Sequence, residues 1–421
     1  MTGNTETITF SGNEAGENGG AINCGEALTL SENTGTITFF GNEAGENGGA
    51  IVSIYSILRS NGNVTFSNNV AEEYGGAIYS NRTATIVNNT SVLFQGNMAN
   101  SADPTSIQLQ SLFLEESYNN DLVSFSSPEK GSITFYDSIY VGGALALNQS
   151  FDDDGDADTE AIAQTGTITF SGATAEADLE AHLNANKMQL SEDQQANALA
   201  ASRTSEIRGT TTLYAGTLEV VDGAVLTGGD KINSSGASVE DSYANGGLEL
   251  AEDSAATLYL RGGSIDKEVT LGETSQLKAE GENNNITALT VDEGASLTVS
   301  AYEQEGKPTV AGELTIADEL VLNGTATVAE GATLTLGSST TLASAISNDG
   351  TVALAGEITL NGFTKETVYT YSAGSNSGYR TMSEGYAVIT GTGTTTGTAT
   401  KEGYGEGSEY KQRNIQFCIK K

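Results

Sequence analysis

The run Asp152-Asp153-Asp154-Gly155-Asp156-Ala157-Asp158-Thr159-Glu160 is the densest set of side chains able to hold an ion. Asp152, Asp154, Asp156 and Asp158 alternate as carboxylates do in calcium loops, so calcium is the metal this spacing fits. The match is partial, because glycine falls fourth in the run where an EF-hand loop has it sixth. A solvated acidic loop accounts for the same residues. Nucleophilic chemistry would have to use His182, the one histidine, and it sits in a stretch with helix-forming composition. Cys24 and Cys418 are too far apart in the chain to suggest a metal-ligand pair or a disulfide framework. The expectation is therefore no catalytic residue and no cofactor beyond calcium at these four aspartates.

Charge narrows the partners further. In 421 residues, 18 Lys and Arg stand against 55 Asp and Glu, for a net charge of −37. Such a surface repels phosphate backbones and anionic headgroups, so nucleic-acid binding and polybasic membrane docking are excluded as functions. No apolar run approaches the roughly 18 residues of a membrane helix, so this segment is not expected to insert directly. Carboxylate pairs for glycan cleavage are abundant, but an acidic groove repels anionic polysaccharides such as pectate. With no Trp and 7% aromatics, no extended platform for sugar stacking is expected.

The elements that carry these residues are set by repeats. Residues 7–22, TITFSGNEAGENGGAI, return at 36–51 with one change, Ser11 to Phe40. A looser copy, VTFSNNVAEEYGGAI, covers 64–78, and VLFQGN at 92–97 is a half-copy without its glycine pair. The phenylalanines Phe10, Phe39, Phe66 and Phe94 are spaced by 29, 27 and 28 residues. Short alternating runs bounded by Asn, Gly and Glu are strands between tight turns. A period of 20 to 30 residues built this way predicts an all-β solenoid, a right-handed parallel β-helix with about one coil per repeat. Phenylalanine and asparagine at one place in successive coils would stack as ladders, and glycine would allow positive φ and close approach. Between the ladders, the near-identical acidic turns NEAGEN would lie side by side.

Four regions follow. Residues 1–145 carry the coils with these repeats, and 146–208 hold the acidic loop and a helical insertion. Within 174–206, Leu179, Leu183, Leu190 and Leu199 fit one amphipathic helix or two short ones. Residues 209–362 return to coils in a Thr/Val/Leu/Ala dialect, such as TLEVVDGAVLTG at 217–228, with an aliphatic interior. Residues 363–421 read as a C-terminal cap and basic tail, since an open β-helix end must be covered.

The repeated F-x-x-N and G-G-A-[I/L/V] elements resemble the polymorphic membrane protein family of chlamydial autotransporters. The matching residues are Phe10/Asn13, Phe39/Asn42, Phe66/Asn69 and Phe94/Asn97, with Gly19-Gly20-Ala21-Ile22, Gly48-Gly49-Ala50-Ile51, Gly75-Gly76-Ala77-Ile78 and Gly142-Gly143-Ala144-Leu145. SITFYDSI at 132–139 and LYAGTLEVVDGAVL at 213–226 are similar to that family's middle region, and the rest is similar to autotransporter passengers in general. The resemblance implies a passenger on the cell surface or outer membrane, or secreted. It implies a non-enzymatic adhesin whose tetrapeptides attach to a host-cell receptor or glycan. It also implies a secretion signal and a translocating barrel, expected elsewhere in the full gene. An enzyme acting on a neutral glycan, and a structural spacer or surface-layer solenoid, are the other functions a β-helix could have.

Overall fold

A computed structural model describes residues 1–59, 61–87, 89–115, 123–150, 164–228, 246–251, 255–354, 356–362, 366–372, 379–385 and 389–397. The chain divides into two units, Met1–Lys267 and Glu268–Lys421. Both are parallel β-helices. Among the described residues, no helix is long and apolar enough to cross a membrane.

In the first unit one strand of each coil pairs in parallel with its equivalent in the next. The series runs Ile8–Ser11, Ile37–Phe40, Asn63–Ser67, Ser91–Gln95, Ser132–Phe135, Thr167–Ser171, Thr217–Val221 and Thr257–Arg261. Alternation sends every second side chain inward, and the parallel register then stacks like on like. The inward column is Phe10, Phe39, Phe66, Phe94, Phe135, Phe170, Val220 and Leu260. Its six rings stack at successive centroid separations of 4.8, 4.7, 4.9, 4.9 and 5.1 Å. The change of dialect after residue 208 is the point where this column passes from rings to aliphatics.

A second series bends. Ile22–Ser31, Ile51–Arg59 and Ile78–Val87 are long strands whose mutual register shifts near their middles. In later coils the same path is two shorter strands, first Gln108–Leu114 with Val123–Ser126, then Ser138–Val141 with Leu145–Leu147. A third series has two residues per strand, Glu14–Ala15, Glu43–Ala44, Val70–Ala71 and Met98–Ala99.

The insertion between the coils is two helices, α1 (Ala175–Asn186) and α2 (Glu192–Arg203). Ser191 and Gln194 cap α2 reciprocally, each side chain bonding the other's backbone N–H. Leu179 and Leu183, with Ala175 and Ala198, cover Met98, Ile107 and Leu109, and Leu190 and Leu199 pack at the margin. Ser202 Oγ also accepts the backbone N–H of Leu109 at 2.8 Å, so α2 satisfies a group of the strand it covers.

The second unit has the aliphatic interior its composition predicts. Leu277, Leu297, Ala326, Ile346 and Ile389 follow one another in parallel register, each at most 2% exposed. Glu366–Ser372 and Tyr379–Gly385 form an antiparallel hairpin, after which Ile389–Thr390 and Thr394–Gly397 rejoin the parallel ladders. The basic tail lies outside the described residues.

Candidate interaction surface

Where the motif residues sit separates architecture from surface. Phe39, Phe66, Phe94, Asn42, Asn69 and Asn97 are 0% exposed, whereas in the first coil Phe10 is half-buried and Asn13 is exposed. The asparagines form a chain of amides in one direction. Asn13 Nδ2 donates to Asn42 Oδ1 (2.7 Å), Asn42 Nδ2 to Asn69 Oδ1 (2.8 Å) and Asn69 Nδ2 to Asn97 Oδ1 (2.8 Å). Each Oδ1 also takes the backbone N–H of the preceding asparagine in the ladder, at 3.1 to 3.2 Å. The other amide hydrogens of Asn42, Asn69 and Asn97 go to the carbonyls of Phe10, Phe39 and Phe66. A ladder in which every member donates forward must end on a group with oxygens free to accept, and it ends on the carboxyl of Asp137. That carboxylate takes Gly96 N–H (2.7 Å), Asn97 N–H (3.0 Å) and Asn97 Nδ2 (2.8 Å).

A second buried ladder was not anticipated. Asn33 donates from both nitrogens to Asn61 Oδ1, and Asn61 N–H bonds Asn89 Oδ1 at 3.0 Å. Positions 33, 61 and 89 repeat at the period of the phenylalanines, and that spacing is the signal that could have found them.

The glycine pairs have two separate reasons. Gly19, Gly48 and Gly75 have φ of 69°, 64° and 65°, in the left-handed region. Gly20, Gly49 and Gly76 press on the next coil: a Cβ on Gly76 would lie 2.5 Å from Met98 N. Ala50, Ala77, Ile51 and Ile78 are at most 1% exposed, and Ala21 and Ile22 at the first coil are half-buried. In the half-copy, Gln110-Ser111-Leu112 takes the place of the motif, with Gly76 N–H bonding Gln110 O and Leu112 beside Ile78. Gly142-Gly143-Ala144-Leu145 stands elsewhere in the coil, with Leu145 pairing Val123 and Thr211. A Cβ on Gly143 would meet nothing within 4 Å. Gly76→Ala is thus expected to lower stability by about 2 kcal/mol in urea unfolding, and Gly143→Ala by less than about 0.5 kcal/mol.

What remains outward is the acidic turn. Glu14 and Glu43 are exposed and in register, followed in the same column by Val70 and Met98. The column changes from charged to apolar as it passes beneath the helices, so its acidic face is open only in the first coils. Glu17, Glu46 and Glu73 form a neighbouring column, joined by Glu46 N–H to Glu17 O and Glu73 N–H to Glu46 O, each 2.8 Å. Asn18 Nδ2 donates to Glu46 Oε2 at 2.8 Å.

An aromatic row also reaches the surface. Phe113 stacks on Tyr74 (4.4 Å), Tyr79 (5.7 Å) and Tyr140 (4.5 Å). No such platform was expected, because residues 100–107 lengthen one coil and break the spacing. Within the row the rings cover one another's faces, so the ring left open is Tyr74 at one end, 42% exposed, and not the extended platform a glycan chain stacks on.

The remaining candidates separate clearly. Asp152, Asp154, Asp156 and Asp158 lie outside the described residues. Among the described residues, no group of three or more His, Cys, Asp or Glu could hold a metal ion. His182 is half-buried on α1 with Asn186 Nδ2 3.2 Å from its Nε2, and burial holds its pKa below the usual value.

Comparison with protein families agrees with the repeat. The Chlamydia polymorphic membrane protein repeat matches at residues 7–25, 36–54 and 63–81, each spanning the acidic turn and the glycine pair. Neither the curated proteins nor the solved structures gave a match.

Proposed function

We propose that this chain, which carries three polymorphic membrane protein repeats, is the surface-displayed passenger of an autotransporter and acts as a non-enzymatic adhesin. The contacts are made by the acidic turns and not by the motif side chains beneath them. The observation that carries this reading is the in-register stacking of the turns at 12–18 and 41–47, which are identical in sequence. Unit charges one rung apart repel by about 1 kcal/mol even in water, so the columns do not serve the fold. They present the same carboxylates at a fixed interval, and weak contacts repeated along a rigid surface add through multivalency. A host-cell receptor or glycan carrying positive charge is the complementary partner.

Bead attachment to epithelial cells tests this. Glu14, Glu17, Glu43 and Glu46 are all replaced by glutamine, and circular dichroism confirms the retained β-helix. Attachment is expected to fall at least about tenfold. Equal attachment by both folded chains, or none by the native one, would assign the ladders to a spacer.

A further inference from the structure

The aromatic row has two ends, and one of them already holds a cation. Arg208 lies over the Tyr140 ring, its Cζ 5.2 Å from the centroid, and Glu206 Oε1 grips its Nε at 2.8 Å. A second instance lies on the same unit, where Arg82 sits over Tyr55 at 5.7 Å and donates to its hydroxyl at 3.0 Å. Stacking of a guanidinium on a tyrosine is therefore used at least twice by this surface. At the opposite end of the row stands Tyr74, 42% exposed, with Phe113 against one face. Its repeat equivalents are Asn18 and Asn47, so the aromatic is specific to this coil.

Two carboxylates flank that end. The Tyr79 hydroxyl donates to Glu115, and burial together with the charges of Glu115 and Glu73 holds it far above the usual tyrosine pKa. Both glutamates are exposed; Glu73 directly precedes Tyr74 and Glu115 follows Phe113 by two residues, its N–H on Ser80 O at 3.0 Å, so both stand beside the stacked Tyr74–Phe113 pair. An exposed ring beside paired carboxylates repeats the chemistry that secures Arg208, here without an arginine supplied by the described chain in that position.

We propose that the Tyr74 end of the row, with Glu73 and Glu115, is a binding site for an arginine side chain of a partner protein. A planar guanidinium can stack on Tyr74 while its N–H groups bond the carboxylates, which an ammonium does less well. The net charge of −37 draws a basic segment to this face. The site does not depend on whether the acidic turns mediate attachment.

Calorimetry at low salt with a heptapeptide of alternating glycine and arginine tests it. The controls are the same peptide with citrulline, which keeps the shape without the charge, and one with lysine. Binding is expected for the arginine peptide, about tenfold weaker for lysine and weaker still for citrulline. Tyr74→Ala should weaken it by about threefold to tenfold, Glu115→Gln by about threefold, and Tyr74→Phe by less than twofold. Glu219→Gln with Glu249→Gln, carboxylates four rungs further along their ladders in the same unit, should change it by less than about twofold. No binding to the native chain overturns the proposal, as does equal binding of lysine. A Tyr74→Ala chain that is folded and binds as tightly, or an equal loss in the remote double variant, also overturns it.

Discussion

Asn69→Leu is expected to cost about 4 kcal/mol of stability, although leucine is close to asparagine in size and more apolar. The loss follows from the neighbours. Asn69 Oδ1 is the acceptor for both Asn42 N–H (3.1 Å) and Asn42 Nδ2 (2.8 Å). Removing it leaves two donors buried, each costing about 1 to 3 kcal/mol, while Asn97 Oδ1 and Phe39 O each lose one bond. Because the ladder is directional, the defect is not repaired by rotating one amide: Asn42 turned over would set its Nδ2 against the incoming Asn13 donors and its Oδ1 against Phe10 O. Asn18→Leu, on the outer turn, should cost less than about 1 kcal/mol: its Oδ1 also takes two donors from Asn47, but Asn18 and Asn47 are only half-buried, so water replaces these bonds and the one to Glu46. The measurement is the urea midpoint of each variant. Similar midpoints for the two would refute the claim that the buried ladder stabilises the coils.

The same contrast bears on adhesion experiments. Replacing F-x-x-N or G-G-A-I removes side chains that are 0% to 1% exposed in the inner coils, so lost attachment in such variants would report unfolding. Substitutions in the turns avoid that confusion.

Period made most of the fold legible in the sequence. Phe10, Phe39, Phe66 and Phe94 recur at nearly constant spacing, and a parallel solenoid converts constant spacing into stacking. The leucines of 174–206 gave the helices for the same reason, through the helical repeat of Leu179 and Leu183. What stayed hidden depends on insertions. Once residues 100–107 lengthen a coil, Tyr79 and Phe113 are neighbours in space without a recognisable interval, and Phe113 meets Tyr140 at another. Gly142-Gly143-Ala144-Leu145 shows the converse, a motif match in letters that falls at a different place in the coil. Asp137 was also unseen, because it occupies the asparagine column two residues after Phe135, where the preceding copies have three.

Asp137 gives the fold a dependence on pH. It is 3% exposed, and burial, its largest influence, raises its pKa from 3.8 to about 7, against the lowering effect of the N–H groups of Asn97 and Gly96. In the unfolded chain the carboxyl loses its proton near 3.8, while in the fold it keeps it to about 7. Between those values the unfolded state binds fewer protons, so stability falls as pH rises from about 4 to about 7 and is then level. The span corresponds to roughly 4 kcal/mol, the protonated ladder end being the stable one. Repulsion among the many surface carboxylates has the same sign, so the native chain alone does not isolate the effect. Asp137→Asn does: an amide stays neutral throughout, though its NH2 must face either Gly96 N–H or the Asn97 donors, which lowers stability at acid pH. The stability difference between native and Asp137→Asn should therefore shrink or reverse between pH 5 and pH 8. A difference that stays constant across that range would mean that the ladder ends on an ionised carboxylate, held so by its three N–H donors.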